Sequence, residues 1–298
     1  MKTLSVLLPL LAPCLFLMQS CDKDKLDEYP YPNQLDWLQH NYTRSYILHV
    51  PPSYSGEEPV PLVLVIHGYT GTASDMEEWT HMSEKADEKG FIVAYPNGIA
   101  YPWNENNPQA WNCGGPWEEW TAHTDDVGFI NKLIETISGV YVINENRIYI
   151  TGHSNGSMMT YRLGLELADK IAAIAPVSGQ FAYIPYSSPD SKVSALHLHA
   201  INDGAVNYFG EPATADVPYP SVDSVLNVWS GFYGCKSAPD TTFINEDYMI
   251  KEWSCSGNNP AIQLYLMQRG EHQWFTVDNS GIDATGLIWN FFENHPKR

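Results

Sequence analysis

Residues 147–163 of the 298-residue chain combine a short apolar run, a glycine-containing turn and an amphipathic run. Residues 148–151 predict a buried strand, and the spacing of apolar residues over 158–163 predicts a helix. Between them lies the pentapeptide Gly152-His153-Ser154-Asn155-Gly156. A Gly-x-Ser-x-Gly turn between a strand and a helix holds its serine in a strained backbone with the hydroxyl exposed. The stretch therefore predicts a nucleophilic Ser154, although an ordinary strand-to-helix turn can also carry this pattern.

Five apolar runs predict the strands of one sheet: residues 61–66, 91–95, 148–151, 172–177 and 195–201. They alternate with runs of helical spacing, which is typical of parallel strands joined by right-handed crossovers. Such continuous apolar strands are buried on both faces. The fold class is therefore α/β, with a mostly parallel central sheet and helices on both faces.

Two of the helical runs lie at opposite ends of this pattern. Residues 75–89 predict one continuous helix whose buried face includes Met76, Trp79 and Met82, and residues 286–293 predict the closing helix. Asp125 and Asp126 precede a third apolar-periodic run, as N-terminal helix caps do.

The first strand runs into His67-Gly68-Tyr69-Thr70-Gly71. Where a sheet of this kind carries a nucleophilic serine, the loop after this strand supplies one N–H of the oxyanion hole and the residue after the serine supplies the other. We therefore expect donors from Asn155 and from either Tyr69 or Thr70. The alternative is a plain strand-to-helix turn.

A serine nucleophile needs a base and an acid that orients it. Among ten histidines, His272 alone lies late in the chain, in a turn after the strand at 262–267 and before the final helix. We expect His153 to point away from the pocket. Asp203, at the end of the strand at 195–201, is the expected acid, with Asp278 and the Asp125–Asp126 pair as weaker alternatives.

Residues 100–122 form a long aperiodic segment that leaves the carboxyl end of a strand, where ligands bind in open α/β sheets. It holds the aromatic residues Tyr101, Trp103, Trp111, Trp117 and Trp120. We expect this segment to wall the substrate pocket, with Trp111 and Trp117 in contact with the substrate.

The first 35 residues are predicted to lie outside the catalytic domain. A positive start and a short, proline-broken apolar run predict an export signal over residues 1–20. Cys21 at the boundary with a charged segment resembles a lipoprotein cleavage site, so we expect a lipid anchor there, a tether over 21–35 and the catalytic domain over 36–298. The alternative is ordinary cleavage that yields a soluble secreted or periplasmic protein.

Three cysteines remain after Cys14 and Cys21. Cys235 and Cys255 flank a short insertion before the last strand and are the expected disulfide in an oxidising compartment, which leaves Cys113 unpaired. No cysteine or histidine pattern predicts a metal or cofactor. The net charge of −19 argues against nucleic acid as a partner.

These motifs together resemble the α/β-hydrolase family of poly(3-hydroxybutyrate) depolymerase-like esterases, which includes feruloyl and acetylxylan esterases. The resemblance is carried by residues 64–68, 125–129, 152–159, 172–179, 203 and 271–274. It implies that Ser154 is the nucleophile, Asp203 the orienting acid and His272 the base. It also implies that the residues around His272, including Trp274, border the substrate pocket.

The resulting hypothesis is a secreted or surface-anchored serine esterase acting on feruloyl or acetyl side chains of plant polysaccharides. It needs no cofactor and no obligate protein partner. The alternatives are a polyester depolymerase and a catalytically silent carbohydrate-binding surface protein.

Overall fold

A ten-stranded mixed sheet is the centre of the computed structural model, which describes residues 34–37, 42–100, 108–121, 124–181, 188–212, 219–257 and 260–297. The strands of this sheet are β1 (Gln34–Trp37), β2 (Tyr42–His49), β3 (Val60–Ile66), β4 (Ile92–Pro96), β7 (Ile143–His153), β8 (Ala173–Val177), β9 (Ser194–Ala200), β10 (Asp240–Ile244), β11 (Tyr248–Glu252) and β12 (Ile262–Met267). Two further strands, β5 (Ile99–Ala100) and β6 (Gln109–Ala110), form a separate ribbon.

The order of strands is β1-β2-β4-β3-β7-β8-β9-β12-β11-β10. The six strands from β4 to β12 in this order pair in parallel, while β2 and β1 at one edge and β11 and β10 at the other pair antiparallel. The apolar runs that predicted the parallel strands are buried throughout β4, β8 and β9. The predicted fold class is thereby confirmed.

Eight helices lie in the described part of the chain. They are α1 (Ala73–Thr80), α2 (Met82–Lys89), α3 (Pro116–Trp120), α4 (Asp126–Ser138), α5 (Asn155–Glu166), α6 (Val222–Phe232), α7 (Val277–Ser280) and α8 (Ala284–Asn294). None is long and apolar enough to cross a membrane.

Helices cover both faces of the sheet. On one face, Tyr149 of β7 stacks on Phe292 of α8 with ring centroids 4.7 Å apart. On the other, Gly164 of α5 lies so close to Ile174 of β8 and Trp229 of α6 that an added Cβ would be 3.0 Å and 3.1 Å from their side chains. Parallel strands with crossover helices place these two layers on opposite sides of the sheet.

The single helix predicted over residues 75–89 is wrong, because two helices meet there at His81. His81 has a φ of 49° and is both the C-cap of α1 and the N-cap of α2. A left-handed backbone conformation is uncommon for a residue other than glycine, and the sequence around His81 does not predict one. The break leaves Trp79 51% exposed rather than on a buried helix face.

The predicted pair of caps before α4 is half right. The Asp125 carboxylate accepts a hydrogen bond from Gly128 N–H at 2.8 Å and caps the helix. Asp126 is instead fully buried, with Arg44 Nη2 2.8 Å from its Oδ1. Burial works to raise the pKa of Asp126, and Arg44 works against that shift.

One short segment of the expected tether lies in the sheet. Gln34 and Leu35, expected in the tether, begin β1 opposite Ser45 and Arg44, so the sheet starts two residues before the expected boundary. By its contacts the chain divides into Met1–Pro32 and Asn33–Arg298. The expected signal and the lipid site at Cys21 lie outside the described residues.

The insertion between the two paired cysteines forms the β10–β11 hairpin, which extends the sheet by two strands. A disulfide joins Cys235, just after α6, to Cys255, just after β11, and Cys113 is free and buried. The sequence pattern did not predict this hairpin, because every residue of β10 is exposed and its side chains do not alternate between apolar and polar.

Candidate active site

Ser154 lies on a sharp turn between β7 and α5 with a φ of 57°. Its N–H donates to the Val177 carbonyl and its own carbonyl accepts from Met158 N–H, both at 3.0 Å. An added Cβ at Gly156 would collide with the carbonyl oxygens of Ile66 and His67, so only glycine lets α5 begin this close to the sheet. Strained backbone of this kind is typical of functional positions.

Three side chains form a continuous hydrogen-bonded row at this turn. His272 Nε2 lies 2.8 Å from Ser154 Oγ, and His272 Nδ1 lies 2.9 Å and 3.1 Å from Asp203 Oδ2 and Oδ1. The carboxylate can only accept, so His272 carries its proton on Nδ1 and Nε2 is free to accept the serine proton. The exposed Asp278, the weaker alternative, lies in α7 instead.

Asp203 is held by its own turn. Its Oδ1 accepts from the N–H groups of Ala205 at 3.0 Å and Val206 at 2.7 Å. Burial works to raise the pKa of the Asp203 carboxyl, but the hydrogen bond and charge of His272 and the Val206 N–H outweigh it and lower the pKa. The acid is therefore ionised and fixed in direction when it meets the imidazole.

A buried row of imidazoles stands behind Asp203. His199 Nε2 lies 2.8 Å from the Val206 carbonyl, which can only accept, so His199 Nδ1 must accept from His197 Nε2–H at 3.1 Å. His197 Nδ1 in turn accepts from Tyr161 O–H at 2.7 Å. These bonds form a directional hydrogen-bonded chain from Tyr161 through both histidines of β9 to the turn that carries Asp203.

The expected oxyanion donors lie beside Ser154. Asn155 is the first residue of α5, and the N–H groups of the first helical turn have no acceptor within the helix. Of the two loop residues expected to supply the second donor, Thr70 uses its N–H on the Gln109 carbonyl at 2.9 Å. Tyr69, the other expected donor, follows Gly68, where an added Cβ would lie 3.1 Å from Ser154 Cβ.

The expectation that His153 points away from the pocket is wrong. Strand β7 continues through His153, so its side chain still projects from the strand and packs beside His272 with ring centroids 4.8 Å apart. The residue is 7% exposed and its Nε2 has no hydrogen-bond partner. Burial lowers the pKa of His153 to about 3, so the imidazole is neutral beside the base.

A cavity of about 700 Å³ opens above Ser154. Four segments line it: the loop after β3, helix α1, the turn that carries Ser154, and the turn that carries His272. They include Tyr69, Asp75, Trp79, Gln273 and Trp274. Sequence reasoning placed Trp274 here but missed Trp79, because the predicted continuous helix assigned Trp79 to the core.

Neither of the two tryptophans expected from the long aromatic segment to contact the substrate lines the cavity. Trp117 donates its indole N–H to Tyr219 Oη at 3.0 Å and packs against Tyr69, with ring centroids 5.5 Å apart. Trp111 does not line the cavity: it is 0% exposed and donates its indole N–H to the His67 carbonyl at 2.9 Å. Tyr101 and Trp103 lie outside the described residues.

The buried position of Trp111 has a specific cause. Its backbone N–H donates to Asn155 Oδ1 at 2.8 Å, and its carbonyl accepts from Asn155 Nδ2 at 3.1 Å. The side chain of the residue after Ser154 therefore pairs with Trp111 as a neighbouring strand would. This pairing holds the turn that carries Ser154 and keeps the indole buried in the core, away from the cavity.

Groups arranged in this way can catalyse acyl transfer through a serine nucleophile. In the parts of the chain that the structure describes, no three acidic, histidine or cysteine side chains are arranged to hold a metal ion.

Known proteins resemble this chain in sequence and in fold. A bifunctional acetylxylan esterase/xylanase of Neocallimastix patriciarum is 29% identical over 205 residues, which is 69% of this chain and 25% of that protein. Feruloyl esterase B of Piromyces equi is 28% identical over 204 residues, covering 66% of this chain and 37% of its own length. This chain thus spans well under half of the length of either relative.

Among solved structures, the acetyl xylan esterase from Aspergillus awamori matches with a TM-score of 0.63 at 17% identity, over 87% of this chain and 98% of that one. This likeness shows a shared α/β-hydrolase fold. The profile of the family described as Esterase PHB depolymerase matches residues 44–204, which is more than half of the chain. The chain therefore belongs to the Esterase PHB depolymerase family.

Proposed function

We propose that this protein is a serine esterase that hydrolyses carboxylic esters, with feruloyl or acetyl side chains of plant polysaccharides as its substrates. The observation that carries the proposal is the row of Ser154, His272 and Asp203, with each polar contact between 2.8 and 3.1 Å. This is the arrangement that turns a weakly nucleophilic hydroxyl into an effective one.

In the acylation step, Ser154 Oγ attacks the ester carbonyl while its proton passes to His272 Nε2. The N–H groups of Asn155 and Tyr69 stabilise the oxyanion, aided by the positive dipole end of α5. Asp203 stabilises the imidazolium that forms. His272 then gives the proton to the departing alcohol oxygen, which leaves the acyl group on Ser154.

In the deacylation step, water attacks the acyl-enzyme and gives its proton to His272, and the serine leaves with that proton. His153 supports both steps as a neutral neighbour. Burial holds its pKa at about 3, so the imidazole adds no positive charge beside His272 as the latter becomes protonated.

The size and lining of the cavity support the substrate class. A volume of about 700 Å³ accommodates an aromatic acyl group as well as acetate. Tyr69, 44% exposed and backed by Trp117, offers an aromatic ring surface at the cavity. Aromatic rings stack favourably on aryl groups. The names of the two sequence relatives point to the same two classes of ester.

The test compares two small esters on purified residues 22–298. Turnover of methyl ferulate that is lost in Ser154→Ala supports a feruloyl esterase, whereas turnover of p-nitrophenyl acetate alone supports a deacetylase. Ser53→Ala, an exposed serine far from the turn in sequence, is the matched control and should keep full activity. Retention of turnover in Ser154→Ala would refute the mechanism, and no turnover of either ester would favour a polyester substrate or a silent binding protein.

We also propose that the protein is exported and anchored through lipid on Cys21. The apolar run before Cys21 and the disulfide between Cys235 and Cys255 support export to an oxidising compartment. The test is metabolic labelling of the full chain with radioactive palmitate in a bacterial expression host. Label that is unaffected by Cys21→Ala would contradict the anchor.

A further inference from the structure

A second cavity of about 220 Å³ lies beside the catalytic cavity, and Trp79 and Trp274 line both. We call the second cavity the side groove. Its other lining residues come from the junction of α1 and α2, from α2 itself, and from the segment around α7 and the start of α8. They include His81, Glu84, Lys85, Glu88, Thr276 and Asp283.

The two shared tryptophans differ in how they are held. Trp274 is nearly buried, and its indole N–H donates to Thr285 Oγ1 at 3.1 Å. Thr285 Oγ1 donates to the Thr80 carbonyl at 2.5 Å, which links this tryptophan to the end of α1. Trp79, next to Thr80, has half of its surface exposed. A single exposed apolar side chain is ordinary, but this one lies at the junction of two cavities.

Backbone strain is concentrated at the same place. Four residues other than glycine have positive φ in the described part of the chain: Thr70, His81, Ser154 and Ser178. Thr70 and Ser154 line the catalytic cavity and His81 lines the side groove. Ser178 donates to the Gln273 carbonyl beside the catalytic histidine. Because such strain persists where function requires it, the side groove belongs with the functional cleft.

The chemistry of the proposed esterase decides which part of the substrate meets the groove. His272 must protonate the departing alcohol oxygen, so the alcohol part of the ester lies on the His272 side of Ser154. Gln273 and Trp274 follow directly on that side, and Trp274 opens into the groove. The acyl group then occupies the part of the cavity near Tyr69.

The charge of the groove selects the kind of alcohol. Glu84, Glu88 and Asp283 line it with one lysine, Lys85, whose Nζ is 2.7 Å from a Glu88 carboxylate oxygen. The excess of carboxylates disfavours anionic chains, as does the net charge of −19. Carboxylates and the Thr276 hydroxyl accept hydrogen bonds from hydroxyl groups.

We propose that the side groove binds the alcohol part of the substrate, a neutral oligosaccharide chain, with Trp79 as its stacking platform. This inference rests on the proposed esterase function. Sugar rings present an apolar face for Trp79 and hydroxyl groups for the carboxylates, so one groove satisfies both parts of the ligand.

The kinetic test uses two esters with the same acyl group, acetylated xylotetraose and p-nitrophenyl acetate. In Trp79→Ala, kcat/KM for acetylated xylotetraose should fall about tenfold relative to kcat/KM for p-nitrophenyl acetate. This is the size expected for losing one aromatic stacking contact. Trp79→Phe should restore most of the ratio. Phe243→Ala, an exposed aromatic on β10, is the matched control and should leave both values unchanged. An equal loss on both esters in Trp79→Ala would overturn the proposal.

A binding test separates this inference from the esterase proposal, because it needs no turnover. Calorimetry with the Ser154→Ala protein should show saturable binding of unesterified xylotetraose, weakened about tenfold by adding Trp79→Ala. Trigalacturonate, an anionic chain, should not bind. Failure of xylotetraose to bind, or binding unaffected by the Trp79 change, would overturn the groove assignment even if the esterase is active.

Discussion

Four buried neutral histidines should make this protein lose stability steeply between pH 7 and pH 5. Burial lowers the pKa of His67 and His199 to about 4 and that of His153 to about 3, and it lowers the pKa of His197 well below its usual value. In the unfolded chain a histidine has a pKa of about 6.5. Below that pH the four histidines bind protons in the unfolded state but not in the folded state.

The sign and size follow from linkage. The free energy of unfolding falls on acidification wherever the unfolded state binds more protons, at about 1.4 kcal/mol per pH unit for each proton. At pH 5.5 four such histidines give a difference of roughly 3.5 protons, and each contributes a loss of about 2 kcal/mol between pH 7 and pH 5. Asp126, whose pKa burial raises, opposes this by up to roughly one proton. The expected slope is therefore about 4 kcal/mol per pH unit, large against the roughly 5–15 kcal/mol of a typical domain.

The assay is urea unfolding followed by tryptophan fluorescence at half-unit intervals from pH 7 to pH 5. The slope of the unfolding free energy against pH should correspond to about three protons. His153→Gln should reduce that slope by about one proton, because it removes one buried imidazole. Phe243→Ala, a change at an exposed side chain that does not titrate, should leave the slope unchanged. A slope of less than one proton would refute the account.

Two further predictions concern the acid and the disulfide. In Asp203→Asn, the amide oxygen keeps the two backbone N–H bonds of its turn, so the NH₂ group faces His272 Nδ1 and moves the imidazole proton to Nε2. The kcat on p-nitrophenyl acetate should therefore fall about 10,000-fold. A loss of less than tenfold would contradict this. Cys235→Ser and Cys255→Ser should each lower the free energy of unfolding by about 3 kcal/mol, as expected for a bond spanning 20 positions. Unequal losses in denaturant unfolding would argue against the pairing.

The features that the sequence predicted are encoded in single stretches of the chain or follow from the order of the strands. The parallel strands β3, β8 and β9 are buried on both faces, so each is a continuous apolar run that can be read without knowing its neighbours. The turn at Ser154 could be predicted because a tight strand-to-helix turn requires glycines at fixed positions. The closeness of His272 and Asp203 to this turn followed from the order of strands, since both lie where strands reach the same edge of the sheet.

The features that were missed depend on contacts distant in sequence. Trp111 lies among loop residues, yet the side chain of Asn155, 44 positions away, pairs with its backbone and buries it. His153 occupies a variable position of its motif. It lies in the cavity because β7 continues through it and because His272, distant in sequence, packs beside it. Neither outcome has a periodicity that a single stretch of sequence could show.

The break at His81 shows how one backbone angle can decide function without changing composition. As one continuous helix, residues 73–89 would keep Trp79 on the face that carries the buried Met76 and Met82. With a φ of 49° at His81, α1 ends one residue after Trp79, and α2 takes a new direction that buries Met82 without it. The Trp79 indole is therefore exposed to the catalytic cavity, and the carboxylates of α2 line the side groove beside it. The strain at His81 is thus the structural cause of the proposed oligosaccharide platform, because relaxing it into a regular helix would remove Trp79 and the groove together.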